Sequence, residues 1–210
     1  AGSLALGAAA NAKTFVLRMG AGHPSKPVAY VRNMEHHMAD LITKRVAAET
    51  KHKVRFIHAY AGKIAKVHET LEAVEKGLLD IGGFCVCFES AKMLPANFDY
   101  FTPFTTPDVR LNTKVKRRVM AEHPEIYDML PKKYNQQLMA ITGFDNYGLG
   151  TKFAWNDVSE LKGQKIIAAG PNLPWVERYG AIPVTTTLPT AYNALATGVA
   201  SGFIMFPGVY

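Results

Sequence analysis

The feature that most limits what this chain can become is its rhythm. Short apolar runs alternate with helix-period stripes, and only a few residues separate them. "TFVLRMG" (14–20) and "KVRFIHAY" (53–60) read as strands. Between them Val31, Met34, Met38, Leu41, Ile42 and Val46 recur at helical spacing over 28–50. Val67, Leu71, Val74 and Leu78 repeat that spacing, and Gly77 stands where a helix end favours glycine. "DIGGFCVCF" (80–88) is a continuous apolar run, predicting a strand covered on both faces. Further on come a strand over 136–144, a short helix over 156–163 capped by Asn156 and stopped by Gly163, and a strand over 165–169. A helix over 173–179, a strand over 182–187, a helix over 189–197 and a strand over 202–206 complete the series. The pattern predicts an α/β fold with mostly parallel sheets flanked by helices.

Two stretches interrupt the rhythm. Pro95, Pro103 and Pro107 make 95–109 an irregular connection, and the helix over 110–130 is expected to break near Pro124. A change in composition near 131–138 marks a crossing between two lobes, so the expected division is lobe I over 13–138 and lobe II over 139–210. Residues 1–12, "AGSLALGAAANA", are small and apolar and end in the Ala10-Asn11-Ala12 pattern of a secretory cleavage site. They read as a signal-peptide remnant. No run of about 18 apolar residues offers a membrane-spanning helix.

The formal net charge is +7, but the lysines and arginines are dispersed apart from Lys114–Arg118 and Lys132-Lys133, and no nucleic-acid-binding signature accompanies them. A basic surface favours small anions instead. There is no G-x-S-x-G elbow and no phosphate-binding glycine loop. His36 and His37 are adjacent, and adjacent helical residues diverge by about 100°. Cys85 and Cys87 would share one face of a strand, where a disulfide fits poorly, so both are expected as buried thiols. No catalytic set, metal ligand set or cofactor is expected.

Four stretches carry a resemblance: "LRMGAGHPSKP" (17–27), "HAYAGKIAKVHETLEAVEKGLLDIG" (58–82), "DVSELKGQKI" (157–166) and "YGAIPVTTTLPTAYNALATGVASG" (179–202). Their order and spacing resemble the DctP-like substrate-binding proteins of tripartite ATP-independent periplasmic (TRAP) transporters. The resemblance implies a two-lobed periplasmic binding protein fold of class II type, here with an incomplete second lobe. It implies a periplasmic receptor that holds a small organic anion between its lobes and delivers it to the permease subunits of a membrane transporter, without catalysis. The ligand module of another uptake or sensor system is the alternative. A small α/β enzyme using Glu89 or His23 is a third reading, but no second polarising group accompanies either.

The departures from the family pattern shape the expected site. Where the family places a carboxylate-binding arginine this chain has Ile167, and a second arginine position falls at Gly148 or Leu149. The family's cleft asparagine falls at Met205 and an aromatic position at Leu188. The corner "AAGPNLPW" (168–175) could instead offer backbone N–H groups at a helix start, with Asn172 as a polar fork and Trp175 as a flat face. Asn146, Tyr147 and Phe206 lie at expected strand ends, and Glu89 resembles the acidic cleft residue of some members. Lys63, Lys66 or His23 would supply charge, and Tyr192 points either into the cleft or into its own lobe. The expected ligand is a small organic acid richer in apolar or aromatic surface than a dicarboxylate.

Overall fold

A computed structural model describes residues 11–103 and 105–207. The expected leader segment lies outside the described residues except for Asn11 and Ala12. Two sheets organise the chain. β1 (Thr14–Gly20) pairs in parallel with β2 (Lys53–Ala59) on one side and β3 (Ile81–Gly82) on the other. The second sheet has the order β4-β7-β5-β6, built from β4 (Gly148–Thr151), β5 (Lys165–Ala168), β6 (Ile182–Thr185) and β7 (Gly202–Met205). Among the described residues only the β4–β7 pair is antiparallel. The fold is thus a two-lobed α/β architecture with mostly parallel sheets.

Helices cross between the parallel strands. α1 (Ala29–Asn33) passes through a π-helical turn (Met34–Met38) into α2 (Ala39–Glu49). Met19, Val31 and Met34 pack together beneath it. α3 (Thr70–Glu75) buries Leu71 completely and ends before Gly77, whose φ of 67° needs no Cβ. In the second sheet β5 shows why a strand can be apolar throughout. Ile166 joins the cluster containing Val176 of α6 (Leu173–Glu177), while Ile167 packs with Ala191 of α7 (Leu188–Ala196). Both are at most 2% exposed, and each contributes about 2 kcal/mol of burial.

Several sequence expectations need correction. The run 80–88 is a strand only at Ile81–Gly82 and then turns into a 3-10 segment, Val86–Glu89. A short apolar run tells burial but not conformation. Because the chain curls there, the Cys85 and Cys87 Cα atoms stand 5.2 Å apart and the two sulfurs are joined as a disulfide, not held as thiols. Both are buried as expected. Residues 136–144 form no strand, since their polar groups find partners outside any sheet. Gln136 Nε2 donates to the Leu71 carbonyl (2.7 Å), and Gly143 N–H donates to Thr113 Oγ1 (2.9 Å).

The irregular 95–109 contains a 3-10 run, Leu94–Phe101. The helix beyond it, α4 (Val109–Glu122), gives way at Pro124–Tyr127 before α5 (Met129–Lys133). The short helix near 156–163 is a 3-10 turn, Val158–Leu161. It is capped by Asp157, not Asn156: Ser159 N–H donates to Asp157 Oδ1 at 2.9 Å, while Glu160 Oε1 accepts from the Asp157 N–H at 3.2 Å.

Candidate functional site

Parallel strands send their following loops to one edge, and ligands in open α/β sheets gather there. Here those loops from both sheets surround one cavity of about 510 Å³, counted out to its open mouth. The first sheet supplies His23, Val28 and Tyr30 after β1, and Cys85, Cys87 and Phe88 after β3. The second supplies Ile167, Ala168, Ala169 and Asn172 from β5 and its corner, Thr186 and Leu188 after β6, and Ile204, Met205 and Phe206 at the end of β7. Tyr147 joins them because β4 runs antiparallel to β7, which sets its start beside Met205.

The lining is aromatic and uncharged. Tyr147 meets Phe206 edge-on at 5.4 Å and Trp175 at 5.5 Å. Its hydroxyl lies 2.9 Å from that of Tyr100. Burial pushes the Tyr147 phenol up to about 12, and burial also raises Tyr30, so both stay neutral near pH 7. His23 is 3% exposed. Its Nδ1 sits 3.0 Å from the Tyr30 hydroxyl, and its ring meets Phe88 edge-on at 5.4 Å. Burial, with a smaller contribution from nearby His68, lowers the imidazole to about 4, which leaves it neutral near pH 7. In the neutral ring's tautomer that carries its hydrogen on Nε2, the Tyr30 hydroxyl donates to Nδ1.

Two buried nitrogens on this lining have no hydrogen-bond partner among the described residues: His23 Nε2 and Asn172 Nδ2. An orphaned buried polar group costs about 1–3 kcal/mol. They come from opposite sheets. Asn172 ends the 3-10 turn Gly170–Asn172 and is 1% exposed. Gly170 makes that turn feasible, because its φ is 50° and a Cβ there would lie 2.2 Å from the Cys87 carbonyl oxygen. The corner of the second sheet thus rests directly on the backbone of the first sheet's loop.

The expected residues divide into three groups. His23, Tyr147, Asn172, Met205 and Phe206 line the cavity. Asn146 and Trp175 line an adjoining cavity of about 450 Å³ that shares Tyr147 and includes Asp99, Tyr100 and Asp145. Glu89, Lys63 and Tyr192 line neither. Glu89 is buried against Lys92 (3.0 Å), which also pairs with Glu72. Burial raises its carboxyl, with Lys92 opposing. Lys63 follows Ala61 and Gly62, whose positive φ values of 60° and 74° turn the chain outward, and its side chain is exposed. Tyr192 follows buried Ala191 on α7, so the helical twist carries it to solvent at 78% exposure.

The anion-binding helix start is also corrected. α6 has five residues, Pro171 and Pro174 have no N–H, and the N–H groups of Asn172 and Leu173 donate to Ala169 and Gly170. Sequence reasoning missed Tyr30, Cys85, Cys87, Phe88 and Thr186 as lining residues. Their signal was position: each lies within about ten residues after a strand of the parallel set. Among the described residues no group of three or more His, Cys, Asp or Glu side chains could hold a metal ion, and no helix is long and apolar enough to cross a membrane.

No family model matches this chain, and no curated protein sequence matches it. Many solved structures share its fold. A Bordetella pertussis extracytoplasmic solute receptor binding pyroglutamic acid superposes with a TM-score of 0.75 at 20% identity, over 92% of this chain and 61% of that one. A marine metagenome TRAP solute-binding protein specific for aromatic acid ligands, in complex with 3-hydroxybenzoate, gives 0.74 at 17% identity over 92% and 58%. A TRAP periplasmic solute-binding protein from Bordetella bronchiseptica with bound (R)- and (S)-mandelate gives 0.71 at 18% identity over 90% and 58%. The chain has the fold of TRAP periplasmic solute-binding proteins and spans less than two thirds of the length of each of these three.

Proposed function

We propose that this chain is the solute-capturing part of a periplasmic TRAP-type receptor. It binds a small organic acid with an aromatic or apolar body, hands it to the permease subunits of a membrane transporter, and performs no chemistry on it. The observation that carries this reading is the pairing of an aromatic, uncharged cavity with two unpartnered nitrogens, His23 Nε2 and Asn172 Nδ2, from opposite sheets. Phe88, Tyr147 and Phe206 offer a ring apolar aromatic surface, and burying it contributes about 3 kcal/mol. The acid group takes the hydrogen bonds the nitrogens lack. The ligands of the three structural neighbours, pyroglutamate, 3-hydroxybenzoate and mandelate, support the same class.

In this reading lobe I covers 13–138 and lobe II 139–210. The contact of Gly170 with the Cys87 carbonyl is then the place where the lobes touch as they close over the ligand. A thermal-shift screen of aromatic, 2-hydroxy, cyclic amino and C4-dicarboxylic acids tests it. A ligand that binds only the folded chain raises its midpoint by mass action, by about 2.7 kcal/mol at a hundredfold excess over Kd. Selective shifts with mandelate, benzoate or pyroglutamate are expected. Shifts with C4-dicarboxylates alone, or with none of the acids, would remove the reading.

A further inference from the structure

Resting on that receptor reading, we propose that an acid entering this cavity brings a proton from solvent onto His23. The resulting imidazolium of the first sheet and the Asn172 amide of the second then clamp one carboxylate between them. The argument starts from charge. Among the described residues no lysine or arginine lines the cavity, and Ile167 on β5 is 2% exposed. A carboxylate moved there without a countercharge would lose its hydration for neutral donors alone, which is costly.

The lining contains one side chain able to become a cation. Its other titratable members are two tyrosines and the two disulfide-bonded cysteines, none of which can turn positive. His23 is that side chain, and its Nε2 is one of the two orphaned nitrogens. The groups facing it are Tyr30 from α1, Phe88 from the turn after β3, and His68 from the loop before α3. Among the described residues no carboxylate pairs with it, so the unliganded ring has nothing to hold a proton in place.

The Tyr30 contact accommodates both states. Next to the neutral ring its hydroxyl donates to Nδ1, and next to the imidazolium Nδ1–H donates to the hydroxyl oxygen, 3.0 Å away in this structure. The Tyr30–His23 contact therefore persists in both states with its direction reversed. Burial keeps the empty site neutral, with an imidazole at about 4, and a carboxylate beside Nε2 raises that value. Between the free and the liganded values each bound acid carries about one proton with it, and affinity falls about tenfold for each unit of pH.

Isothermal titration of the 210-residue chain with mandelate, benzoate and pyroglutamate tests this, at about pH 6 and about pH 8, in buffers of different ionisation enthalpy. All three acids ionise near pH 4, well below that range. The expected result is uptake of about one proton per acid bound at about pH 6, and roughly ten- to hundredfold tighter binding there than at about pH 8. His23→Gln keeps an N–H donor but cannot ionise, and is expected to lose both the proton uptake and the pH dependence. Binding by the unaltered chain with no proton uptake would overturn the inference while leaving the receptor reading in place. Uptake retained in His23→Gln would also overturn it, by placing the proton elsewhere. Binding of none of the three acids would remove the reading and the inference together.

Discussion

Gly22→Ala is expected to lower stability by at least about 3 kcal/mol, a fall of roughly 6–12 °C in Tm for a chain of this size. Gly22 follows β1, buried where the loop before α3 crosses it. A Cβ there would lie 2.2 Å from the Val67 nitrogen, 2.4 Å from the Val67 Cα and 2.5 Å from the Lys66 carbonyl carbon. All three are backbone atoms and cannot rotate away. The two segments are also tied together, since Ala61 N–H donates to the His23 carbonyl at 3.0 Å. The loops must part for the methyl to enter, and His23 moves with them. Gly77 is the internal control. Its φ is 67° but nothing lies within 4 Å of its Cβ position, so Gly77→Ala should cost only about 1 kcal/mol of conformational strain. Urea unfolding of both variants checks the pair, and equal losses would show that the crossing at Gly22 is looser than described.

Asn172→Leu is expected to separate stability from binding. The side chain is 1% exposed and its Nδ2 has no partner among the described residues, so the empty chain carries the cost of an orphaned amide. Leucine is close in volume and has no polar atoms, so the unliganded variant should gain about 1 kcal/mol. The acid loses its donor from the second sheet. A hydrogen bond to a charged group is worth about 1.5–3 kcal/mol, so affinity for mandelate should fall roughly ten- to hundredfold. Thermal unfolding with and without mandelate measures both quantities on one sample. A destabilised variant with unchanged affinity would make Asn172 a structural residue and return the headgroup to His23 alone.

Much of the fold was legible because the strands in question announce themselves. β1, β2, β5, β6 and β7 are apolar runs bounded by glycine or by polar loops, and their order fixes a parallel α/β architecture. The misreadings share a cause. The run 80–88 beyond Gly82 and the run 136–144 are as apolar as the strands, but neither continues in a sheet, and tertiary partners cannot be read from local pattern.

The site was half legible for a related reason. Residues at the ends of β5 and β7, such as Asn172, Met205 and Phe206, follow from topology once strand order is known. The direction of a side chain leaving a helix or tight turn does not. Tyr192 and Lys63 are exposed, one by helical twist and one after a pair of positive φ angles, while Glu89 is buried in an ion pair with Lys92. The sequence places the apolar Ile167 where the resemblance implies an arginine, but what that means for the site needed the cavity. In an uncharged lining the side chain able to become a cation is a histidine, His23.

The most direct test of the central claim, that the space between the two sheets is the ligand site, is methyl NMR of the chain titrated with mandelate. The resonances of Ile167, Leu188, Ile204 and Met205, which line the cavity, should move together and saturate at one equivalent constant. Those of Leu71 and Leu79, fully buried and outside the lining, should hold still. Mandelate that shifts Leu71 or Leu79 while leaving the four lining methyls in place would put binding elsewhere and contradict the account.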